Sequence, residues 1–289
     1  MITVTSSDNY ADIYGNRIDG KLRNCKVIFK GQNANLELGD GFNSLGNNNT
    51  IILENNSKIV FGKNFQMGSN NTFYCRHDSQ FKIGNNGVIT NYFRLYNRGV
   101  VVLGSNFGIR DFGEIRVLGS LQCNDWVYFQ HHVSIYAPKK TRIIFGNDSG
   151  GSWYTKFIAG GGHSLYDLRH EMKIEDFRYG EDNLTSLEIG NHVWIGAGST
   201  INSGVIIGSG SVVAANSNVV SGIFNEEVLI GGNPAKLIAK GITWDRRIEL
   251  GYNEFIEYKK KGELLIERAV FLEEYSDKDL DEEFFIKLE

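Results

Sequence analysis

The chain has 289 residues, with 34 Gly, 29 Asn, 2 Pro and 3 Cys, so Gly and Asn together make up roughly a fifth of it, against an ordinary Gly share of about 7%. Two prolines exclude a collagen-like chain, 41% hydrophobic residues exclude disorder, and three cysteines exclude a disulfide scaffold. The net charge of −4 divides unevenly, with 22 basic and 20 acidic residues up to Lys240 and 8 against 14 beyond it, so neither part carries the basic patch of a nucleic-acid or membrane-surface domain. At the N-terminus, MITVTSSDNYADIYG lacks a basic region followed by an apolar stretch, and nowhere is there the run of about 18 apolar residues that a membrane span needs. Cys25, Cys75 and Cys123 are scattered without metal-site spacing, which leads us to expect a reducing, cytoplasmic setting and no metal.

From about residue 35 a short pattern recurs: apolar, any, apolar, Gly, then a small polar pair. It reads LELGDG at Gly39, IVFGKN at Gly62, FKIGNN at Gly84 and VVLGSN at Gly104. It returns as IIFGND at Gly146, LEIGNH at Gly190 and VIIGSG at Gly208, with a degenerate copy, LQCND, at 121–125. Apart from two doubled steps the spacing is 18 to 23 residues, and self-similarity on that scale marks a solenoid. Each unit is too short for a helix and alternates apolar with polar residues, as a strand with one buried face does. Gly and Asn then mark the corners, because they accept positive φ at little cost. The repeat predicts an all-β solenoid, a parallel β-helix, over 1–240, with one longer excursion at about 149–186. From Ile189 the register tightens to one apolar residue every six positions, through Ile195, Ile201, Ile207, Val213 and Val219, which is three sides of an 18-residue coil. Gly241 breaks the pattern, and 241–289 reads as an α-helical tail. Its apolar stripes run through Ile248, Tyr252, Phe255 and Ile256, then Leu264, Leu265 and Leu272, then Leu280, Phe284 and Phe285. We expect these to pack on the end of the solenoid.

The stretch IGNHVWIGAGSTINSGVIIGSGSVVAANSNVV, followed by GGNPAK, resembles the hexapeptide-repeat acyltransferases. The pieces Gly162-His163…Tyr166-Asp167, His192–Gly196, Gly232–Lys236 and Ile242–Trp244 are similar to the sugar and polysaccharide O-acetyltransferase branch. The resemblance implies a left-handed parallel β-helix, a handedness opposite to the usual right-handed crossover and so not readable from the repeat. It also implies an acetyl-CoA-dependent enzyme acting on a sugar or polysaccharide hydroxyl by direct transfer in a ternary complex, and a homotrimer with its grooves between neighbouring prisms.

Such a transfer needs a base for the alcohol proton, donors for the oxyanion and a groove for coenzyme A. Histidine suits the base, since its ordinary pKa of about 6.5 lies near working pH. Of six histidines, His163 in AGGGHSLYD follows three glycines that allow close backbone approach, and the family's catalytic His lies in a comparable loop. A carboxylate should orient its other nitrogen: Asp167 lies four residues on, and Glu181 in Gly180-Glu181 matches a Gly-Glu pair of the relatives. On the acceptor side the relatives place an Asn where this chain has Gln130, so Gln130 or the adjacent His131 is the candidate. The resemblance assigns coenzyme A to Trp194 along the pantetheine arm, to the Gly196–Ala197 turn (also the oxyanion donor), to Ala215, and to Lys236 near the phosphates with Lys240 assisting. The family's Thr-Lys after the last hexad is Val220-Ser221 here. His192 reads as a corner residue, and His77 and His170 as surface residues. The three cysteines fit ordinary strand positions, which disfavours an acyl-enzyme on a thiol.

Two other readings share this pattern. An N-acyltransferase on an amino-sugar nucleotide would use the same fold and donor. A non-catalytic β-helix, such as an adhesin or an ice-binding solenoid, would use the fold alone, although the coils lack the flat Thr arrays of ice binding.

Overall fold

The computed structural model describes residues 1–161, 165–174, 185–246 and 251–261, and its contacts group into two units, Met1–Thr243 and Trp244–Glu289. The first unit is a parallel β-solenoid whose coils run through three sheets of 10, 11 and 10 strands. Coil follows coil in strict register. In the first sheet one inward column passes through Ile51, Phe73, Leu95, Ile115, Ile135, Phe157, Ile201 and Val219, and all of these are buried. Alternation along each short strand produces this column, since successive side chains point to opposite faces.

The bore is filled differently along its length. Phe61, Phe65, Phe73, Phe81, Phe93, Phe107, Phe129, Phe145 and Phe157 are fully buried in the longer coils, with rings in tilted or edge contact such as Phe61–Phe65 at 4.5 Å and Phe145–Phe157 at 4.8 Å. From Leu187 to Ile230 the buried column is Ile, Val and Leu. A coil of 20 or more residues encloses more cross-section than an 18-residue coil, and close packing fills it with larger side chains.

The corners correct one expectation. The pattern glycines do not take positive φ. That conformation falls two residues later, on Asn64, Asn86, Asn106, Asp148 and His192, with φ between 53° and 57°. The glycines are there because neighbouring coils approach too closely for a side chain. A Cβ on Gly62 would sit 2.4 Å from the Gly84 carbonyl carbon, and one on Gly104 2.5 Å from that of Asn124. The residue between glycine and αL position caps the previous coil. The Lys63 amide donates to Asn85 Oδ1 at 2.9 Å, that of Ser105 to Asp125 Oδ1 at 2.7 Å and that of Asn147 to Asn191 Oδ1 at 2.8 Å.

The excursion is also placed more finely. Gly150–Gly151 and Lys156–Ile158 are coil strands, pairing with Trp194–Ile195 and Thr200–Asn202. The chain therefore leaves the solenoid after Ile158, later than the repeat indicates, because the WYTKFIAG stretch carries no pattern glycine to mark its coil. The solenoid resumes at Thr185–Ile189, in register with Thr141–Phe145. Within the excursion, Leu165–Asp167 pairs antiparallel with Met172–Ile174.

Antiparallel strands finish both ends: Ile2–Val4 on Cys25–Phe29, Ser7–Ala11 on Arg17–Leu22, and Ala235–Lys240 on Val228–Gly232. In the second unit Tyr252–Lys261 is an α-helix, which carries the first apolar stripe from Tyr252 onward. The later stripes lie outside the described residues.

Candidate active site

The corner between the third sheet and the first collects five of the eleven candidate residues, with Trp194 on the strand that leads into it. Register through Phe129, Gly151, Ile195 and Val213 aligns the turns that follow into three columns. These are Gln130, Ser152, Gly196 and Ala214; His131, Trp153, Ala197 and Ala215; and His132, Tyr154, Gly198 and Asn216. Gln130, His131, Ala197 and Ala215, far apart in sequence, thus share one edge of the solenoid, and the segment containing His163 leaves from the same coil as Trp153 and Tyr154.

Most amides of this edge hold the coils together. Gly196 donates to the Val213 carbonyl at 2.8 Å, Gly198 to that of Trp153 at 2.8 Å and Asn216 to that of Ala197 at 2.7 Å. Toward the N-terminus the amide in the middle column is capped by a side chain of the next coil: Ser69 by Asn91 Oδ1 at 2.7 Å and Asn91 by Asp111 Oδ1 at 2.8 Å. At Ala197 the next residue in the column is Ala215, which has no acceptor to offer. The Ala197 N–H makes no hydrogen bond among the described residues and points to this edge as an available donor.

Gln130 and His131 are placed differently. Gln130 Oε1 is buried without a hydrogen-bond partner, a state that costs free energy unless something donates to it. Burial holds the His131 imidazole below its ordinary pKa; Arg110 and His132 push the same way, and Asp111 opposes them. A neutral imidazole at this edge can accept a proton or a hydrogen bond.

Trp194 faces outward on the third sheet, 44% exposed, with its indole Nε1 donating to Ser152 Oγ at 2.9 Å. On the preceding coil its neighbour is Gly150, and before that Tyr128. The Tyr128 ring leans the other way, where a Cβ on Gly108 would meet its Cδ2 at 2.4 Å, and its hydroxyl accepts from Arg110 Nε. The outcome is a glycine-floored notch between two aromatic side chains. The sequence singles out Trp194 but not Ser152, Tyr128 or Gly150, whose places beside it depend on which coils lie side by side. Lys236 and Lys240 are exposed on the terminal hairpin, opposite Gly231 and Val228.

Other candidates stand apart. The backbone places Asp167 in the excursion's hairpin, while His163 and Glu181 lie outside the described residues. His192 sits on a different corner, between the second and third sheets, with Nδ1 2.8 Å from Oδ2 of the buried Asp148. The imidazole–carboxylate pair occupies the same column as the amide ladder of Asn64, Asn86 and Asn106, whose side chains are 3.2 Å apart, with Trp126 between the two sets. His77 binds Glu54 Oε2 at 3.0 Å, and His170 is exposed. All three cysteines are buried and free. Burial pushes the Cys25 and Cys75 thiols up to about 12 and raises that of Cys123 well above its ordinary value, which opposes thiolate chemistry. No group of three or more His, Cys, Asp or Glu that could hold a metal ion occurs among the described residues, and no described helix is long and apolar enough to cross a membrane.

The family profile described as bacterial transferase hexapeptide (six repeats) matches residues 187–220, the stretch that supplies Trp194, Ala197 and Ala215. The chain is similar to a probable macrolide acetyltransferase of Lysinibacillus sphaericus, 35% identical over 130 residues that cover 42% of this chain and 69% of the relative. It is similar to WbbJ of Escherichia coli, assigned to lipopolysaccharide biosynthesis as an O-acetyl transferase, at 30% identity over 171 residues covering 58% of this chain and 75% of the relative. Among solved structures, the polySia-specific acetyltransferase NeuO shares the fold, with a TM-score of 0.50 over 82% of this chain and 99% of that one, at 17% identity. The coil register, the corner it builds and these likenesses agree: the chain belongs to the bacterial transferase hexapeptide family and is an acyltransferase.

Proposed function

We propose that the protein transfers an acetyl group from acetyl-CoA to a hydroxyl of a bacterial sugar or polysaccharide. The observation that carries this reading is the shared edge of Gln130, His131 and the open amide of Ala197 beside Trp194. Its acceptor-side and donor-side groups converge from coils more than 60 residues apart in sequence. The O-acetyl transfer assigned to the Escherichia coli relative favours an oxygen acceptor on a glycan.

In this mechanism His163 takes the proton of the acceptor hydroxyl as its oxygen attacks the thioester carbonyl carbon. The new C–O bond gives a tetrahedral oxyanion that the Ala197 N–H stabilises. The C–S bond then breaks, and His163 returns the proton to the departing thiolate. Glu181 or Asp167 holds the His163 ring in its working tautomer, and Gln130 Oε1 accepts a hydrogen bond from the acceptor. Trp194 lines the pantetheine arm, with Gly196 and Ala215 as small neighbours, and Lys236 and Lys240 meet the phosphates. The β-helix to Lys240 carries the chemistry, and the assembly is a homotrimer that works in the cytoplasm.

The test measures transfer of labelled acetyl from acetyl-CoA to bacterial polysaccharides. His163→Ala should lower kcat at least ~100-fold, within the range of general-base catalysis, while calorimetric binding of coenzyme A stays within about twofold. The product should lose its label in mild base, as an ester does. Unchanged kcat in this variant, or a base-stable amide product, would sink the assignment.

A further inference from the structure

The third column of the site corner holds an array that the transfer mechanism does not use. Tyr92, Phe112, His132 and Tyr154 occupy the same position on four successive coils and stack face to face. Their centroid separations are 4.8, 4.7 and 4.7 Å and their interplanar angles 4°, 5° and 7°. Each residue is in the left-handed region, with φ of 57°, 60°, 58° and 61°. Elsewhere in this column the chain uses the residues that conformation favours, Asn48 and Asn70 before the array, Gly198 and Asn216 after it. Bulky aromatic residues are poor choices there, and strain of this kind gathers where function demands it. The rings are also exposed: Tyr92 and Phe112 at 48% and Tyr154 at 58%. Burial in the core therefore does not explain them.

Within the stack each inner ring has both faces covered by its neighbours. The exception lies at the end nearest the site. After Tyr154 the next position is Gly198, with no side chain, and the next side chain in the column is Asn216, two coils beyond Tyr154. Two coils are about 10 Å at the usual strand spacing of about 4.8 Å, and the Asn216 side-chain oxygen leans back over Gly198, close to where a Cβ would lie, so the outer face of Tyr154 looks across a gap floored by Gly198 and bordered on its far side by the Asn216 amide. The gap adjoins Ala197, with its open amide, and Trp153. The ring is fixed: the Tyr154 N–H donates to the His131 carbonyl at 3.0 Å, and three stacked rings back it. The flanks along the column are Asn91, Asp111 and His131 on one side, ending in the exposed Trp153 beside Tyr154 itself, and the polar Arg94, Glu114, Ser134 and Lys156 on the other.

We propose that the outer face of Tyr154 is the stacking platform for a pyranose ring of the glycan acceptor, with His132, Phe112 and Tyr92 as the rigid column behind it. A pyranose offers an apolar C–H face rimmed by hydroxyls. A narrow aromatic surface between polar borders matches that shape better than the broad apolar patch of a protein interface. The platform rests on the glycan O-acetyltransferase reading above and adds to it the residue that holds the sugar.

The test uses the full chain on an array of immobilised bacterial polysaccharides and oligosaccharides, paired with acetyl-transfer kinetics. Tyr154→Asn restores the residue type of the other coils, so the corner stays folded, which the melting temperature checks. Wild type should be retained by at least one glycan, and Tyr154→Asn should weaken that retention at least tenfold and raise the acceptor KM in proportion. The KM for acetyl-CoA should not move. Tyr154→Phe should behave as wild type, and Val102→Thr, exposed on the second sheet outside the column, should stay within about twofold. Equal retention of wild type and Tyr154→Asn, or no glycan retained by either, overturns the platform. A rise in the acetyl-CoA KM instead assigns the face to the purine of the donor, and a changed sedimentation coefficient assigns it to contact between copies; either also overturns it. If Tyr154→Asn loses glycan retention but no glycan is acetylated, the transfer reading fails while the platform stands.

Discussion

At the scale of single residues, glycine and glutamate make contrasting demands. Gly84 has neighbouring backbone where a Cβ would go, 2.6 Å from the Ser105 nitrogen and 2.7 Å from the Gly104 carbonyl carbon. Gly84→Ala must push two coils apart, and we expect a loss of about 1–3 kcal/mol, as for overpacking generally, read as a lower urea midpoint with unchanged slope. Glu54 is buried, and it accepts from Tyr74 OH, Arg76 Nε and His77 Nε2. Desolvation would raise its pKa, but the hydrogen bonds from Tyr74 and Arg76 and the charges of Arg76 and His77 outweigh it and hold the carboxyl low. A native pKa below the unfolded one means that the ionised form stabilises the fold. That stability is present above the ordinary Glu value of about 4.3, begins to fall as the pH drops past it, and is gone below the native value. Glu54→Gln should therefore melt lower than wild type at pH 7, and the gap should shrink in scans below about pH 4. Little of this was legible beforehand. The glycine pattern identified the corners, but not that the need is clearance between coils, because clearance depends on a partner about 20 residues away.

At the scale of elements, strand and register were the most legible layer. Alternation over four or five residues names the buried face of each strand, and the hexad spacing from Ile189 names the coil. The pattern failed where it had no glycine to follow, at Lys156–Ile158. It could not anticipate the aromatic column, because Tyr92, Phe112, His132 and Tyr154 share no motif and meet only through stacking. Phe73 shows what an inward position contributes: it is fully buried and touches Phe61 and Phe93 at 5.4 Å. Phe73→Ala should cost about 3–5 kcal/mol, and Phe73→Leu considerably less. Equal midpoints for the two in chemical denaturation would mean that the bore tolerates a void and is not close-packed.

At the scale of the whole molecule, each coil bonds to the coil before and the coil after it. Stability in such arrays is close to a sum over units and their interfaces. Deleting Lys63–Gly84 joins Gly62 to Asn85 and removes one complete coil, leaving every inward column aligned. We expect a folded protein by circular dichroism, with acetyl transfer within about threefold of wild type, since the deleted coil lies three coils before Gln130. Loss of folding would show that the coils are not interchangeable. The same register bears on the segment between Ile158 and Thr185, which begins and ends on adjacent coils, with Thr141–Phe145 paired directly to Thr185–Ile189. The scaffold closes beneath it as though nothing had been inserted. Such a segment behaves as a cartridge: a chimera that keeps His163, Asp167 and Glu181 but changes the length of the rest should still fold its prism, which circular dichroism would check.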